Sequence, residues 1–344
     1  MGYNPNPRLH GAPPVNNPYK PPRLTTAPVP NLNAAVIGSP GYSKQLGKMS
    51  TETDVTFYDL KKGEATVTMV EPSRYPEKIQ SLYYSAAFAD HAVLVAEKLD
   101  QYFGESLLMI NACGVPEGTI VLRNYVSEDQ LPMFTRGTSL QGYAVMEDDP
   151  IGLRDKLIAL AERPRPAQPG PATMVVDAAF NVRGIGAVAL GTVKSGMVRR
   201  HDQLRALPGD KVAEVRSIQK HDEDFEEAGV GDHVGLALKG VEASDLDKGT
   251  VLTADTLKTA TTVTGQASII PYFQAQLHQG STVHLGHWLQ FNLARITEME
   301  DRGDKKPLVT LALERPLVYP PGARAVMIYL DGGRLRVAGT IPLP

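Results

Sequence analysis

The stretch that decides the fold of this chain is residues 177–196, DAAFNVRGIGAVALGTVKSG. Two apolar runs with the pattern of strands flank the turn RGIG at residues 183–186, whose two glycines tolerate the positive φ of a tight bend. Further strand patterns follow at residues 203–207, 212–218, 233–239 and 249–252, with turn sequences rich in Gly, Pro and Asp between them. Many short strands separated in this way predict a small antiparallel barrel.

The composition limits the class of protein. A chain of 344 residues is long enough for two or three domains, each with its own core. The net charge of −3 gives no general attraction for nucleic acid, so an RNA-binding surface must be local, and no DNA partner is expected. The single cysteine, Cys113, rules out an internal disulfide framework. No apolar run approaches the ~18 residues of a membrane span, so we expect a cytoplasmic protein without a membrane partner.

The sequence divides into five segments. Residues 1–30 are rich in Pro and Asn and predict a disordered arm, and the Pro-rich residues 163–171 predict a stiff linker. Between them, residues 31–162 predict a parallel-sheet domain, with buried strands at 32–37, 92–95 and 106–110 and a helix from Pro150 to Ala161 capped by Asp149. Residues 172–255 contain the barrel, and residues 256–344 predict a second all-β unit.

Three segments of the barrel region, FNVRGIGAVALGTVKSG, GVGDHVGLALKGV and DLDKGTVL, also resemble a known family. In order, they are similar to the second domain of translational GTPases of the elongation factor Tu and SelB type. Within that superfamily the chain resembles the archaeal SelB-like elongation factors, with a degenerate GTP-binding domain. The resemblance implies a multidomain α/β plus all-β fold, in which a P-loop GTPase-like parallel-sheet domain precedes two antiparallel β-barrels.

The resemblance implies a phosphate-binding loop of pattern G-x-x-x-x-G-K-S/T after the first strand, where this chain reads GSPGYSKQ at residues 38–45. Gly38 and Lys44 match the pattern, whereas Ser43 replaces the second glycine and Gln45 replaces the hydroxyl that binds Mg²⁺. Lys44 at a helix N-terminus keeps one group that can hold an anion, so the expected ligand is at most a weakly bound nucleotide or phosphate. No other cofactor is expected.

Two further nucleotide motifs are implied. Residues 70–75, VEPSRY, stand where the family reads V-D-x-P-G-H, so Glu71 takes the acidic position of the Mg²⁺ shell, and Arg74 and Tyr75 replace the residues that meet the γ-phosphate and position water. Asn111, after the strand predicted at 106–110, matches the first residue of the guanine-reading motif N-K-x-D, with Gly114 in place of its Asp. Residues 45–70 are too few to hold a short helix, a hairpin and the family's first switch loop together.

Candidate binding residues outside the first domain are few. The resemblance implies that both barrels touch the acceptor arm of tRNA, and by position Arg183, Lys194 and Lys239 are the candidates for this contact. His284 and His287 are three residues apart on a predicted strand and therefore face opposite sides, which predicts no metal site.

Together, the substitutions affect metal, phosphate, water and base contacts. The favoured hypothesis is an elongation factor-like protein that does not hydrolyse GTP and that binds tRNA, the ribosome or another translation factor. A divergent, active GTPase of translation elongation and a protein–protein adaptor stay open as alternatives.

Overall fold

The computed structural model describes residues 30–164, 170–220 and 223–344. The predicted arm therefore lies outside the described residues except for Pro30, and the predicted linker lies outside them at residues 165–169. The described residues form a parallel-sheet domain followed by two antiparallel β units, so the predicted fold class is confirmed. The domain boundaries given above stay predictions.

A seven-stranded sheet forms the first domain. Its strands are β1 (Asn31–Ile37), β2 (Lys48–Glu52), β3 (Thr56–Lys62), β4 (Ala65–Glu71), β5 (His91–Ala96), β6 (Glu117–Leu122) and β7 (Ala144–Glu147). Their order is β2-β3-β4-β1-β5-β6-β7, and the five strands from β4 to β7 in that order are parallel. The parallel strands end at one edge of the sheet, where open α/β sheets bind their ligands.

Helices cover both faces of this sheet. They are α1 (Ile79–Phe88), α2 (Gln101–Cys113), α3 (Pro132–Thr135) and α4 (Pro150–Ala161). Helix α4 buries Leu153, Leu157 and Ile158 on one face, whereas α1 and α2 pack on the other. The predicted helix from Pro150 is confirmed, since the Asp149 carboxylate accepts hydrogen bonds from the amides of Ile151 and Gly152 at 3.1 and 3.0 Å.

The strand predicted at residues 106–110 is wrong, because these residues lie inside helix α2. A short apolar run does not distinguish a buried strand from a buried helix, and the flanking residues decide here. The Asp100 carboxylate accepts from the amides of Tyr102 and Phe103, and Gly114 ends the helix at φ 73.

The interval between the loop and Glu71 differs in part from the prediction. The hairpin is confirmed as β3 and β4, which turn at Gly63 with φ 61. The short helix predicted before it is wrong, since only a four-residue 3-10 turn, Tyr42–Gln45, follows the loop. Strand β2 comes next and pairs with β3, so its backbone satisfies hydrogen-bonding groups that β3 would leave open at the sheet edge.

The second unit is the predicted antiparallel barrel. Its strands are β8 (Thr173–Val182), β9 (Gly186–Ser195), β10 (Met197–Arg199), β11 (Gln203–Leu207), β12 (Lys211–Lys220), β13 (Glu223–Phe225), β14 (Glu227–Gly229), β15 (His233–Lys239) and β16 (Val251–Thr253). Strands β11-β16-β8-β9-β15-β12 pair in that order, and β12 pairs back to β11, so six strands close the barrel. The strands predicted at 203–207 and 233–239 have the observed bounds.

The third unit is a curved antiparallel sheet of seven strands. Its strands are β17 (Lys258–Gln266), β18 (Ser268–Ile269), β19 (Thr282–His287), β20 (Gln290–Glu300), β21 (Leu308–Tyr319), β22 (Arg324–Ile328) and β23 (Val337–Pro342). They are ordered β17-β21-β20-β19-β22-β23-β18. Trp288 lies at φ 49 in the turn between β19 and β20.

Helix α1 joins the three units. The Tyr83 hydroxyl donates a hydrogen bond of 2.8 Å to the Trp288 carbonyl of the third unit, and Gly286 lies so close to the Tyr83 ring that a Cβ there would overlap it. Phe88 makes an edge-to-face contact with His233 of the barrel, at 5.7 Å between ring centroids. One continuous hydrophobic core therefore spans the first domain and both β units.

A buried ion pair also fixes the third unit to the first domain. The guanidinium of Arg336, just before β23, contacts the Glu105 carboxylate of α2 at 2.5 Å, and the Arg336 amide donates a further bond of 2.7 Å to it. The Tyr75 hydroxyl donates to Oε2 of the same carboxylate, the oxygen that the guanidinium contacts, at 3.0 Å. Since the Glu105 side chain is only 1% exposed, its charge depends on these partners.

Removing the cation of this pair should destabilise the protein strongly. We expect Arg336→Met to lower the free energy of unfolding by about 3–5 kcal/mol, because it leaves the Glu105 carboxylate buried without a counter-charge. Urea denaturation followed by circular dichroism measures the change. As a control, Arg302→Met, in the exposed pair with Glu300, should cost about 0–1 kcal/mol. An equal loss of unfolding free energy in the two variants would contradict the role of Arg336 as the counter-charge of Glu105.

Candidate functional site

The candidate site lies at the edge of the sheet where β1, β5, β6 and β7 end. The loop after β1 begins at Gly38, whose φ of 108 and close approach to the Val95 carbonyl leave no room for a side chain. Gly41 also has a left-handed conformation, with φ 81, and leads into the 3-10 turn. The loop therefore lies against β5, the neighbouring parallel strand.

The Glu71 carboxylate, at the end of β4, reaches into this loop and accepts a hydrogen bond from the Gly41 amide. Glu71 and the neighbouring Ser43 are both buried. Burial raises the pKa of Glu71, although the Gly41 amide, Ser43 and the charge of Lys44 oppose the rise. The Glu71 carboxylate therefore occupies a backbone N–H group of the loop, a type of group that can bind an anion.

A second group of side chains, the edge cluster, spans the ends of the parallel strands. Its members are Ser39, Tyr42, Glu97, Arg123 and Asp148. The Arg123 guanidinium, just after β6, contacts Asp148 at 2.7 Å, Ser39 at 3.1 Å and Glu97 at 3.6 Å, and its Cζ lies 5.5 Å from the centroid of the Tyr42 ring. The Tyr42 hydroxyl donates to Asp148 at 2.7 Å. The edge cluster fills the sheet edge with the protein's own charges.

Burial and the hydrogen bond to Asp148 raise the pKa of Tyr42 well above its ordinary value, so its hydroxyl stays protonated and remains a donor. Asp148 therefore receives bonds from two sides, a neutral hydroxyl and a guanidinium. Charge-assisted bonds of this type are stronger than those between neutral groups. The edge cluster is consequently a stable arrangement of the protein alone.

Comparison with known proteins places this geometry in a family. The model of elongation factor Tu domain 2 matches residues 186–253. An uncharacterized protein from Methanocaldococcus jannaschii is 36% identical over 301 residues, which cover 87% of this chain and 94% of that protein. The selenocysteine-specific elongation factor of the same organism is 30% identical over 175 residues, 46% of this chain and 37% of that factor.

Among solved structures, translation elongation factor SelB from Methanococcus maripaludis, in complex with the GTP analogue GppNHp, matches with a TM-score of 0.76 and 22% identity over 92% of this chain and 79% of that chain. The chain belongs to the translational GTPase superfamily. Its relationship within the superfamily is SelB-like, as the sequence predicted.

Two of the residues predicted to bind nucleotide in this translational GTPase homologue do not lie at the start of an α-helix. Lys44 and Gln45 are exposed and end the 3-10 turn. Because that turn has four residues and no α-helix continues it, the helix expected after the loop is wrong, whereas anion binding by Lys44 stays a prediction. Lys44 remains close enough to Glu71 to lower the pKa of its carboxyl, so it acts on the loop through charge.

The predicted guanine-reading residue, Asn111, does not follow a strand, and its role in reading guanine stays a prediction. Asn111 lies in the last turn of α2, and its side-chain oxygen accepts from the Ser139 amide at 2.9 Å. The strand that reaches the sheet edge here is β6, and it is followed by residues 124–127, NYVS. This sequence keeps the Asn of the superfamily motif as Asn124, which bonds to Glu97 at 3.1 Å, but it has neither the Lys nor the Asp.

The residues that replace the γ-phosphate and water contacts make other interactions. Arg74 forms an ion pair of 3.8 Å with Asp54, and its amide donates to Ser81 of α1. Tyr75 is turned toward Glu105 and Arg336, at the boundary with the third unit. Both residues thus serve the packing of α1 and α2.

The three predicted RNA-contacting residues lie in two places. Arg183 is exposed in the β8–β9 turn, and Lys239 is exposed at the end of β15, where Leu238 pairs with Ala187 next to that turn. Lys239 has only a weak contact of 3.9 Å with Glu214. Lys194 lies at the opposite end of β9, near His233 and His287. Burial is the main cause that lowers the pKa of His287, and the charge of Lys194 adds to it.

The end of the barrel near Lys194 faces the first domain. The His233 ring stacks on Phe57 at 5.3 Å, and its Nε2 contacts the buried Asp177 at 2.7 Å. Burial lowers the pKa of His233, but the charge and hydrogen bond of Asp177 outweigh it, so the pKa is raised overall. His233 and Asp177 therefore form a hydrogen-bonded pair at the boundary between the domains.

His284 and His287 make separate contacts. His284 stacks on Phe291 at 4.6 Å, whereas Nδ1 of His287 bonds to the Arg324 carbonyl at 3.0 Å. Within the described ranges no three His, Cys, Asp or Glu side chains are grouped so as to hold a metal ion. None of the helices in the described residues has the length and apolar character to span a membrane.

Sequence reasoning did not identify Tyr42, Arg123 and Asp148 as site residues. A signal was present, because all three follow strands of the parallel sheet and such positions share the ligand-binding edge. The signal was missed because residues 106–110 were predicted to be the strand that β6 in fact forms. These residues belong to helix α2, and β6 comes later in the sequence.

The raised pKa of Glu71 should make its contribution to stability dependent on pH. The folded pKa lies above the ordinary value of 4.5, so stabilisation by proton uptake is fully present below pH 4.5 and is lost as pH rises through the folded pKa. We expect Glu71→Gln to be more stable than the wild type at neutral pH, by about 1.4 kcal/mol for each unit of pKa shift, and this advantage should disappear toward pH 4.5.

Chemical denaturation between pH 4.5 and 7.5 measures this difference. The exposed Glu300 provides the control, since Glu300→Gln should follow the wild-type stability at every pH. A Glu71→Gln curve parallel to that of the wild type would show that the buried carboxylate does not titrate in this way.

Proposed function

We propose that the protein is a translation factor that does not hydrolyse GTP and that binds tRNA or the ribosome through its β units, in the cytoplasm. The observation that carries the proposal is that Glu71 and the edge cluster occupy the loop and sheet edge with side chains of the chain itself. Relatives that match parts of the chain are elongation factors by name, which supports a role in translation.

The loop supports the non-hydrolysing part of the proposal in two ways. A bound phosphate would compete with the Glu71 carboxylate for the Gly41 amide, and the two negative charges would repel each other. The donor set also does not fit a Mg²⁺-bound nucleotide, because Gln45 lacks the hydroxyl of the superfamily motif and is exposed at the end of its turn.

The residues expected to contact the guanine base also support the non-hydrolysing part of the proposal. The guanine-reading motif depends on an Asp that accepts two hydrogen bonds from the base, and no carboxylate stands in the corresponding residues 124–127. In addition, the Arg123 guanidinium already has two carboxylate partners at the adjoining strand ends. A nucleotide would have to separate these charges before it could enter.

GTP binding tests this part of the proposal. Titration calorimetry with Mg²⁺-GTP should give a dissociation constant weaker than about 1 mM for the wild type, because metal, phosphate and base contacts are all incomplete. The Arg123→Ala variant should bind no better, since removing the guanidinium restores none of the three contacts.

Arg154→Ala, an exposed change on α4, is the matched control. A micromolar dissociation constant for GTP with discrimination against ATP would overturn the proposal in favour of an active, divergent GTPase. Micromolar binding by Arg123→Ala alone would show that the superfamily's site is intact beneath the edge cluster.

Binding of tRNA tests the other part. If the barrel contacts tRNA phosphates, log K should fall by about 0.7–0.9 per contact for each tenfold increase in salt. Replacing Arg183, Lys194 and Lys239 together by Ala should weaken binding and flatten that slope. Replacing Arg183 and Lys239 should change thermal stability little, because exposed side chains of this type contribute little to folding, whereas Lys194 is only partly exposed.

Filter binding with total tRNA over a series of salt concentrations gives the affinity and the slope of log K against log salt concentration. Since the structure separates Lys194 from the other two residues, Lys194→Ala and the Arg183→Ala/Lys239→Ala pair should be measured separately. Arg136→Ala/Arg154→Ala, two exposed changes in the first domain, is the control. Affinity weaker than about 100 µM at low salt, where phosphate attraction is least screened, would remove the tRNA role and favour a protein–protein adaptor.

A further inference from the structure

A groove separates the first domain from the third unit. Its volume is about 610 Å³, which is the size of a site for a small ligand or a few peptide side chains. Helices α2 and α3 form one wall, and the loops before β19 and between β22 and β23 form the other. None of the residues assigned to nucleotide or tRNA above lines it.

The floor and rim of the groove are apolar. Leu107, Leu108 and Phe134 lie along the floor, and their side chains belong to or pack against the core shared by the domains. Two large side chains remain open to solvent at the rim, Met133 at 81% and Tyr272 at 65% exposure. Exposed apolar surface concentrated around a concave site marks a place where another molecule binds.

A glycine opens the floor further. Gly104 lies in the first turn of α2, where glycine is less favourable than alanine. A Cβ at this position would meet only Phe134, at 4.0 Å, so packing does not require the glycine. Because Gly104 has no side chain, the backbone of α2 is exposed to any molecule that occupies the groove.

The groove is lined by one acidic and one basic residue, and only the acidic one has an ion-pair partner within the described part of the chain. Two charged residues line it, Glu105 and Arg334. The Glu105 charge is already matched by Arg336, whereas Arg334 is exposed and forms no ion pair with any described residue. An occupant that places a carboxylate near the apolar rim therefore gains a charge contact that the protein does not itself supply.

We propose that this groove binds a short segment of another protein, in which an aromatic or large aliphatic side chain enters the groove and an adjacent Asp or Glu meets Arg334. Because the Glu105–Arg336 pair holds the two walls together, the groove is formed before binding and costs little to organise. The proposal is independent of the tRNA role.

Two other occupants fit the groove less well. The amino-terminal residues 1–29 of this chain carry Arg8, Lys20 and Arg23 and no acidic residue, so they would bring cations to Arg334. A second copy of the chain would have to present an apolar side chain beside an acidic one, and it would bury the same rim in both copies. Both are outcomes that the experiment distinguishes.

The test uses the full chain and a random twelve-residue peptide library displayed on phage, selected on the wild type and counter-selected on Met133→Asp. Recovered peptides should share an aromatic or aliphatic residue next to Asp or Glu. A synthetic peptide of the recovered sequence should bind Arg334→Glu about tenfold more weakly, because the charge contact becomes repulsive. Gly104→Ala should also weaken binding while raising the unfolding temperature, which separates loss of the groove from loss of the fold.

Arg154→Glu, an exposed reversal on α4, should leave peptide affinity unchanged. The proposal is overturned if no recovered peptide depends on Met133, if recovered peptides are basic or uncharged, or if Arg334→Glu binds normally. It is also overturned if the wild type forms a dimer that Met133→Asp dissociates, or if deleting residues 1–29 is needed before any peptide binds.

Discussion

Helix α1 is buried on almost all sides, and its burial holds the three folded units in a single arrangement. Eight of its ten residues are buried, including Tyr83, Tyr84 and Phe88, although a helix packed on one sheet needs to bury only one stripe. Aromatic side chains contribute most here, since each removes a large area from water and also makes directed ring contacts. The barrel and the third unit therefore complete the core of the first domain instead of merely being tethered to it.

This arrangement is consistent with the changes at the sheet edge. In a nucleotide-switched protein, ligand contacts supply the energy that moves domains, so the domain boundaries must stay weak enough to open. Here the segment after β4 directs Tyr75 to the buried Glu105–Arg336 pair, and Arg74 to Asp54. Residues that would sense a nucleotide thus contribute to the domain boundary, while Glu71 and Arg123 satisfy the polar groups at the strand ends.

Sequence patterns predicted the β units better than the site. Alternating strands with glycine turns have local causes, and strands such as 203–207 were predicted with the observed bounds. The buried run 106–110 was ambiguous because a strand and a helix enclosed on all sides are equally apolar, and the capping residues Asp100 and Gly114 carried the deciding information. The edge cluster could not be predicted as a unit, since its members come from four strand ends and meet only through the sheet order.

The enclosure of α1 also affects how the chain is made. The nascent first domain leaves the site of synthesis with Tyr83 uncovered, and the partner surface at Trp288 and Phe291 is added only near the end of the chain. At about 5–20 residues per second, roughly 10–40 s separate Tyr83 from Trp288. During that interval the first domain carries an exposed aromatic surface, so its early folding is exposed to aggregation and it is unsuited to expression as an isolated fragment.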